Sequence, residues 1–295
     1  MIKCALATSH QFSELTNDDK LVYNKLLYYG VDVEPIVWDS KDIAWNQYDA
    51  VFIRSCWDYH IRHAEFFNWV DKLTREKIAV FNPPDLLKWN SNKKYLKDLA
   101  EKDIQIVPTV FVEQNVPTNI QEVLTKQNWQ QAVVKPMISA NALETWITSL
   151  KNPFENQKRL NDMLRQRPEV MIQKFIKEIQ TKGEWAFVFF DKEFSHAVLK
   201  NPKEGDFRTQ ESYGGMVTGK KPLRHLLVHA EKVVQSIQGD CLYARVDGIE
   251  VGQQLVLMEL EVIEPSLYLD KHPKAPTRFA ECILARLNNL TNKKE

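Results

Sequence analysis

The sequence predicts an α/β fold, with a parallel sheet in the N-terminal third and antiparallel hairpins in the remainder. Three observations carry this reading. Short apolar runs alternate with capped helical stretches as far as Asn82-Pro83-Pro84, as βαβ units do. Later, paired apolar runs are separated only by short turns, at Asp191-Lys192 and at Gly252. Finally, 44% of the 295 residues are hydrophobic, which supplies real cores, and the length suits two domains or three small interleaved ones.

Taken in order, Lys3 to Thr8 reads as a buried strand, and Thr16-Asn17-Asp18-Asp19 caps a helix from Lys20 to Tyr29 that Gly30 ends. Val31 to Val37 and Tyr48 to Ser55 are strands, followed by a helix from His63 to Arg75 and a short strand from Ile78 to Phe81. Ligands of open parallel sheets sit beyond the strand carboxyl ends, where Arg54, Ser55, Trp57, Asp58 and Tyr59 fall. An ordinary polar loop around a packed tryptophan is the alternative there. After Pro83-Pro84, Asn90-Ser91 caps a predicted helix from Asn92 to Lys102, whose lysines would normally make a solvated face. A strand from Val107 to Val112, a helix from Ile120 to Lys126 and a strand from Gln131 to Pro136 follow. The last delivers Lys135 beside an apolar core, where it either meets an anion such as phosphate or snorkels to water. Glu169 to Ile176 is a strand, and Glu184 to Phe190 pairs with Glu193 to Leu199 as a hairpin that holds His196 as a packed or surface residue. A helix from Pro222 to Gln238, the strand Cys241 to Asp247 and a helix from Thr277 to Leu290 complete the chain before a charged, frayed tail.

Charge and cysteine usage exclude several classes. Lysine and arginine number 39, as do aspartate and glutamate, so the formal net charge is zero, which argues against a general nucleic-acid or membrane-surface binder. No stretch approaches a membrane span, and the apolar start is too short for a signal peptide. Cys4, Cys56, Cys241 and Cys282 are scattered without Cys-x-x-Cys spacing, as free thiols are in a reducing compartment. A soluble, cytoplasmic protein is expected.

The chemistry concentrates around Leu255 to Pro265. Glu259 and Glu261 lie at alternate positions of a strand and therefore on one face, with Cα atoms about 6.5–7 Å apart. Two carboxylates held so close either recruit a hard divalent cation or lie on the wet face of an edge strand. A two-residue Gly252-Gln253 turn sets Asp247 opposite Met258, whereas a three-residue loop from Gly252 to Gln254 sets it opposite Glu259. The latter is expected. Of only nine glycines, none lies between Gly30 and Gly183, while Gly205, Gly214, Gly215 and Gly219 cluster around Arg208. Such a loop is a ligand-closing lid with an anion-binding arginine, or an ordinary surface loop.

The order of these features resembles the ATP-grasp superfamily of carboxylate–amine ligases. The features are Val133-Val134-Lys135-Pro136, an apolar strand into a hinge, Gly183-Glu184, the Gly205-Asp206-Phe207-Arg208 loop with Gly214-Gly215, Val246-Asp247-Gly248 and Glu259-Leu260-Glu261. Ile53 to Tyr59, Phe194 to Lys200 and Met258 to Leu267 look like a glutathione-synthetase-like subgroup that includes the O-ureidoserine cyclo-ligase of cycloserine biosynthesis. The resemblance implies an N-terminal domain over 1–88, a lid subdomain over 89–172 and a C-terminal core over 173–295, the last two clamping ATP. It implies that Lys93 and Lys135 hold phosphates, Gln173, Lys174, Phe175 and Ile176 line the adenine, and Glu184 takes the ribose. Asp247, Glu259 and Glu261 would hold two Mg²⁺, with Mn²⁺ as an alternative, and Arg208 would stabilise the transferred phosphoryl group. Arg54, Ser55, Trp57, Tyr59, Gly214, Gly215 and Glu264, with Ser266 beside it, would shape the acceptor site. The implied activity is ADP-forming carboxylate–amine ligation, or intramolecular cyclisation, of a small amino acid or short peptide through an acyl phosphate, with a homodimer as an open option. An ATP-binding regulatory module without turnover and a phosphotransferase are the alternatives. The stretch Met137 to Ala142 lacks the glycines common in the family's phosphate loop, which bears directly on closure.

Overall fold

A computed structural model describes residues 2–292; the charged tail beyond Asn292 lies outside the described residues. The N-terminal sheet comprises β1 (Lys3–Thr8), β2 (Asp32–Val37), β3 (Ala50–Ile53) and β4 (Ala79–Phe81), parallel in the order β2-β1-β3-β4. Helices α1 (Asn17–Tyr28) and α2 (His63–Arg75) connect its strands. The Thr16 hydroxyl accepts the Asp19 amide at 3.1 Å, so α1 starts at its cap, and Gly30 adopts the positive φ of 75° that leads the chain out of the helix.

Helices α3 (Pro84–Ser91) and α4 (Tyr95–Ala100) replace the single expected helix from Asn92 to Lys102. Pro84 opens α3, and Asn90 and Ser91 end it. Lys93 therefore sits in a buried junction and not on a wet face. A second sheet has the order β5-β8-β6-β7 and is antiparallel, built from β5 (Thr109–Glu113), β6 (Gln131–Pro136), β7 (Trp146–Ser149) and β8 (Glu169–Lys174), covered by α5 (Ile120–Lys126) and α6 (Pro153–Gln166). After α7 (Glu178–Lys182), the third sheet runs β11-β10-β9-β12-β13, all antiparallel. Its strands are β9 (Glu184–Phe190), β10 (Glu193–Asn201), β11 (Met216–Gly219), β12 (Tyr243–Val251) and β13 (Gln254–Glu261). Helix α8 (Arg224–Gln235) packs on one face of it, together with Tyr95, Leu96, Leu99 and Ile104. Helix α9 (Ala275–Asn292) fills the other face together with β1, α1 and β3, so the N-terminal and third sheets share one core. Among the described residues no helix is long and apolar enough to cross a membrane.

Two buried asparagines fix the N-terminal region to the third sheet. Asn82 donates to the carbonyls of Tyr243 and Val262, each at 2.8 Å, and accepts the Leu242 amide. Asn90 donates to the Leu260 carbonyl at 2.8 Å and accepts the Val262 amide. Beyond β13 the segment 263–268 makes no ladder among the described residues. Instead, each of its carbonyls accepts from a side chain: Ile263 from Tyr243, Glu264 from Trp57, Pro265 from Arg54, Ser266 from Arg245, and Leu267 and Tyr268 from His196. These groups satisfy the buried backbone, and they place Glu264 rigidly.

His196 donates to those carbonyls through Nε2–H, and in the neutral ring Nδ1 is then the acceptor facing the Ser195 hydroxyl. Burial pulls it down to about 4, which its two carbonyl bonds and Asp270 only partly oppose and the neighbouring His272 reinforces. Its folded value lies below the unfolded value of about 6.5, so its contribution is present above that pH and lost as pH falls towards 4. Chemical denaturation should therefore show roughly 2 kcal/mol less stability at pH 5 than at pH 7 from this residue. His196→Gln should flatten that part of the profile; coincident pH slopes for the two proteins would contradict it.

Candidate active site

The three sheets enclose a cleft of about 810 Å³. Its acidic wall depends on a register detail. The β12–β13 turn is the two-residue one, with Val251 opposite Gln254 and Gly252 at φ 61°. That turn alone would set Asp247 opposite Met258. A bulge between Asp247 and Gly248 shifts the ladder by one, and Asp247 faces Glu259 after all. Glycine is required at the bulge because a Cβ on Gly248 would stand 2.9 Å from the Val256 carbonyl oxygen and from the Leu255 side chain.

Cations thread these carboxylates. Arg245 grips Asp247 with two parallel bonds of 2.9 and 3.0 Å and also bonds Glu261. Lys200 lies 2.7 Å from Asp247 and 3.4 Å from Glu184, and Glu184 accepts the Thr209 hydroxyl at 2.5 Å. Burial works against the Asp247 charge, but Arg245 and Lys200 overcome it and hold that carboxyl below its usual range. Glu259 faces Lys93 at 3.0 Å; burial is again outweighed, by Lys93 and Lys135, and its carboxyl is also lowered. Glu261 is the exception. Burial, then the charges of Glu259 and Asp247, push it to about 7 despite Arg245. Lys93 donates to the Ser139 carbonyl at 2.6 Å. Lys135 has no ion pair among the described residues, and burial together with Lys93 lowers its pKa despite Glu259 and Glu184.

The cleft also has an apolar lining, from Val133, Phe175, Ile176, Ile249 and Met258. The amides of Lys174 and Phe175 donate to the carbonyls of Pro108 and Gln131 at 2.9 and 3.1 Å, which anchors this stretch between strands. Gln173 lines the cleft but spends its amide on the Thr109 hydroxyl at 3.2 Å. Two loops meet over the opening, where the Tyr213 hydroxyl donates to the Asn141 carbonyl at 3.4 Å. The glycine-free loop turns by placing Asn141, Ala142 and Glu144 at φ 52°, 54° and 57°, conformations that glycine adopts most easily. Arg167 clasps Glu144 through bonds of 2.9 and 3.0 Å. Across from it, Arg208 is aimed by bonds to Asp206 of 2.8 to 3.2 Å and lies 3.8 Å over the Tyr213 ring.

Most residues singled out from sequence line this cleft: Lys93, Lys135, Gln173, Lys174, Phe175, Ile176, Glu184, Arg208, Asp247, Glu259, Glu261, Trp57, Tyr59 and Glu264. Four do not. Arg54 is 2% exposed behind the wall, paired with Asp19 at 2.8 Å and lying over the Tyr243 ring, and Ser55 bonds the same aspartate. Both belong to a buried network with Asp19, in which Arg54 Nη1 finds no partner among the described residues, and neither side chain lines the cleft. Gly214, at φ 82°, forms the turn behind Arg208, and a Cβ on Gly215 would overlap the Thr209 carbonyl. Those two glycines shape the loop and do not touch the cleft. Lys200, Arg245, His60, Phe12 and Tyr268 also line it and were not anticipated. Two of them left a signal: Arg245 is two residues before Asp247 on the same strand face, and Lys200 lies opposite Glu184 across the β9–β10 pair.

The donor set suits a hard divalent ion, because the candidate ligands are all carboxylate oxygens and Glu261 lacks sufficient counter-charge. As the side chains stand, no three His, Cys, Asp or Glu among the described residues converge on one point, since Arg245 and Lys200 hold Asp247.

Comparisons with known proteins agree with this geometry. Residues 4–82 match the model of the D-cycloserine synthetase DcsG N-terminal domain, and residues 97–269 match the prokaryotic glutathione synthetase ATP-grasp domain. The cycloserine biosynthesis protein DcsG of Streptomyces lavendulae is 25% identical over 275 residues, covering 88% of this chain and 90% of that protein. The crystal structure of D-cycloserine synthetase DcsG superposes with a TM-score of 0.87 at 21% identity, over 96% of this chain and 99% of that one. D-alanine–D-alanine ligase from Bacillus anthracis complexed with ATP superposes with a TM-score of 0.72 at 15% identity, over 99% of this chain and 100% of that one.

Proposed function

We propose, from the premise that this chain belongs to the ATP-grasp family of the prokaryotic glutathione synthetase type and is an ATP-dependent carbon–nitrogen ligase, that it activates a small amino acid or short peptide as an acyl phosphate. One observation carries the reading: a carboxylate wall on β9, β12 and β13 faces Lys93, Lys135, Lys200 and Arg208, brought from separate segments to one cleft. Those cations answer a polyphosphate, and the carboxylates answer the metal that accompanies it.

In this reading residues 1–88 supply the acceptor wall, 89–172 the lid and 173–295 the core. The apolar lining of the cleft takes the adenine, Glu184 the ribose, and Lys93, Lys135 and Lys200 the phosphates. Glu259 and Glu261 would hold Mg²⁺ or Mn²⁺, two ions in our proposal, with Asp247 joining once Arg245 and Lys200 release it. The metal, when bound, supplies positive charge to the phosphate oxygens. A substrate carboxylate oxygen attacks the γ-phosphorus, its bond to the bridging oxygen breaks, and ADP leaves. A nitrogen nucleophile then attacks the acyl carbon, loses its proton and displaces inorganic phosphate. Arg208, already aimed by Asp206 and Tyr213, neutralises charge on the transferred group. The loops that touch at Tyr213 and Asn141 exclude water, which would otherwise hydrolyse the acyl phosphate.

The test is a phosphate-release screen over pairs of amino acids, followed by product mass. ADP should form only with a divalent ion and a carboxylate substrate, and the product should weigh the substrates less one water. A stable phosphorylated product without an amide would favour a phosphotransferase, and tight nucleotide binding without ADP a binding module.

A further inference from the structure

Among the described residues, one buried carboxylate of the cleft lacks a counter-charge. Glu184, Asp247, Glu259 and Glu261 each have a lysine or arginine nitrogen within 4.0 Å. Glu264 is 7% exposed and lines the same cleft, yet among the described residues it has no such cation and no hydrogen-bond donor beyond its own backbone amide. A buried carboxylate without a partner is costly to keep ionised. Burial first, then the charge on Glu261, accordingly raise it to about 8, more than Arg245 and Arg54 offset.

The backbone denies this side chain an escape. The carbonyls of Ile263, Glu264, Pro265 and Ser266 are tied at 2.9 to 3.0 Å to Tyr243, Trp57, Arg54 and Arg245. Moving the Glu264 backbone out of this wall would break several of those bonds. The indole of Trp57 that holds the Glu264 carbonyl also lines the cleft, with Phe12 packed edge-on at 4.8 Å. A rigid carboxylate beside aromatic rings is a receptor for an organic cation.

We propose that Glu264 binds the free primary amino group of the substrate as an ammonium, so that the chain selects amino acids over acids lacking that amine. This rests on the ligase reading and names the substrate class within it. An amine held as an ammonium has no lone pair for attack, so it is a recognition group, and the nucleophile is a second nitrogen.

The test compares wild type with Glu264→Gln, which keeps shape and removes charge. Calorimetry on the full chain, with a non-hydrolysable ATP analogue and Mg²⁺ present, measures D- and L-alanine and D- and L-serine against D- and L-lactate and glycerate. Wild type should favour an amine-bearing probe over its hydroxy partner by about 10- to 100-fold, the range of a buried charge-assisted contact. In Glu264→Gln that ratio should fall to about twofold or less, while nucleotide affinity and thermal midpoint hold, which verifies folding. An unchanged ratio in the variant, or no amine preference in wild type, overturns the proposal. ADP release, measured in parallel on the same protein preparations with ATP replacing the analogue and pairs of amino acids as substrates, separates the two readings. Amine preference lost in the variant without ADP formation sinks the ligase mechanism and leaves Glu264 assigned. ADP formation with an unaltered preference does the reverse.

Discussion

Glu259→Gln is expected to lower metal-dependent ADP formation by about a thousandfold, the scale of several kcal/mol of charge stabilisation. Glu259 pairs with one cation, Lys93 at 3.0 Å, as Glu261 pairs with Arg245 alone, whereas Asp247 is shared between Arg245 and Lys200. The substitution also leaves Lys93, 6% exposed, with only the Ser139 carbonyl and hydroxyl as partners. Stability should therefore fall by roughly 2–3 kcal/mol, below the usual cost of a broken buried pair because Glu259 opens onto the cleft. Denaturant titration and ADP release on one preparation read both effects. ADP formation within tenfold of wild type would remove Glu259 from the metal site.

Arg208→Ala should cost about 10³- to 10⁴-fold in turnover and change nucleotide affinity less than tenfold, because its charge matters most when the phosphoryl group is in transit. The fold should not register the change. Arg208 is partly exposed, and its partners Asp206 and Tyr213 belong to its own loop. Arg208→Lys keeps the charge but loses the planar fork that Asp206 aims, so an intermediate loss of about a hundredfold is expected. Single-turnover kinetics with separately measured nucleotide binding distinguish this from a binding defect. A loss confined to binding would move Arg208 out of the transition-state role.

The sites most legible in sequence were those written by local periodicity. Alternation along β13 places Glu259 and Glu261 on one face, and the apolar run ending in Lys135 delivers that lysine to the cleft. The pairing of Asp247 with Glu259 was anticipated for the wrong reason: the turn is shorter than expected, and the bulge at Gly248 restores the register. The stretch from Leu143 to Pro168 was unread, although it forms β7 and α6; its exposed, polar helix surface leaves only Leu160, Met163 and Leu164 as a short buried stripe.

Arg54 shows where such reading stops. An arginine at the carboxyl end of a parallel strand looks like a ligand contact, yet its nearest carboxylate comes from Asp19 and its hydrogen-bonded carbonyl from Pro265. Lys93 errs in the opposite sense: a lysine in a charged run is buried because α3 and α4 break around it. By itself the sequence determined most of the strands, their inward faces and the inventory of charges, because side-chain alternation and apolar spacing are properties of neighbouring residues. Only the tertiary structure decided which charges neutralise one another and that, among the described residues, the buried Glu264 carboxylate is left without a cation. Pairing depends on distances between segments far apart in the chain, such as Arg54 and Pro265, separated by 211 residues, and local spacing does not encode them.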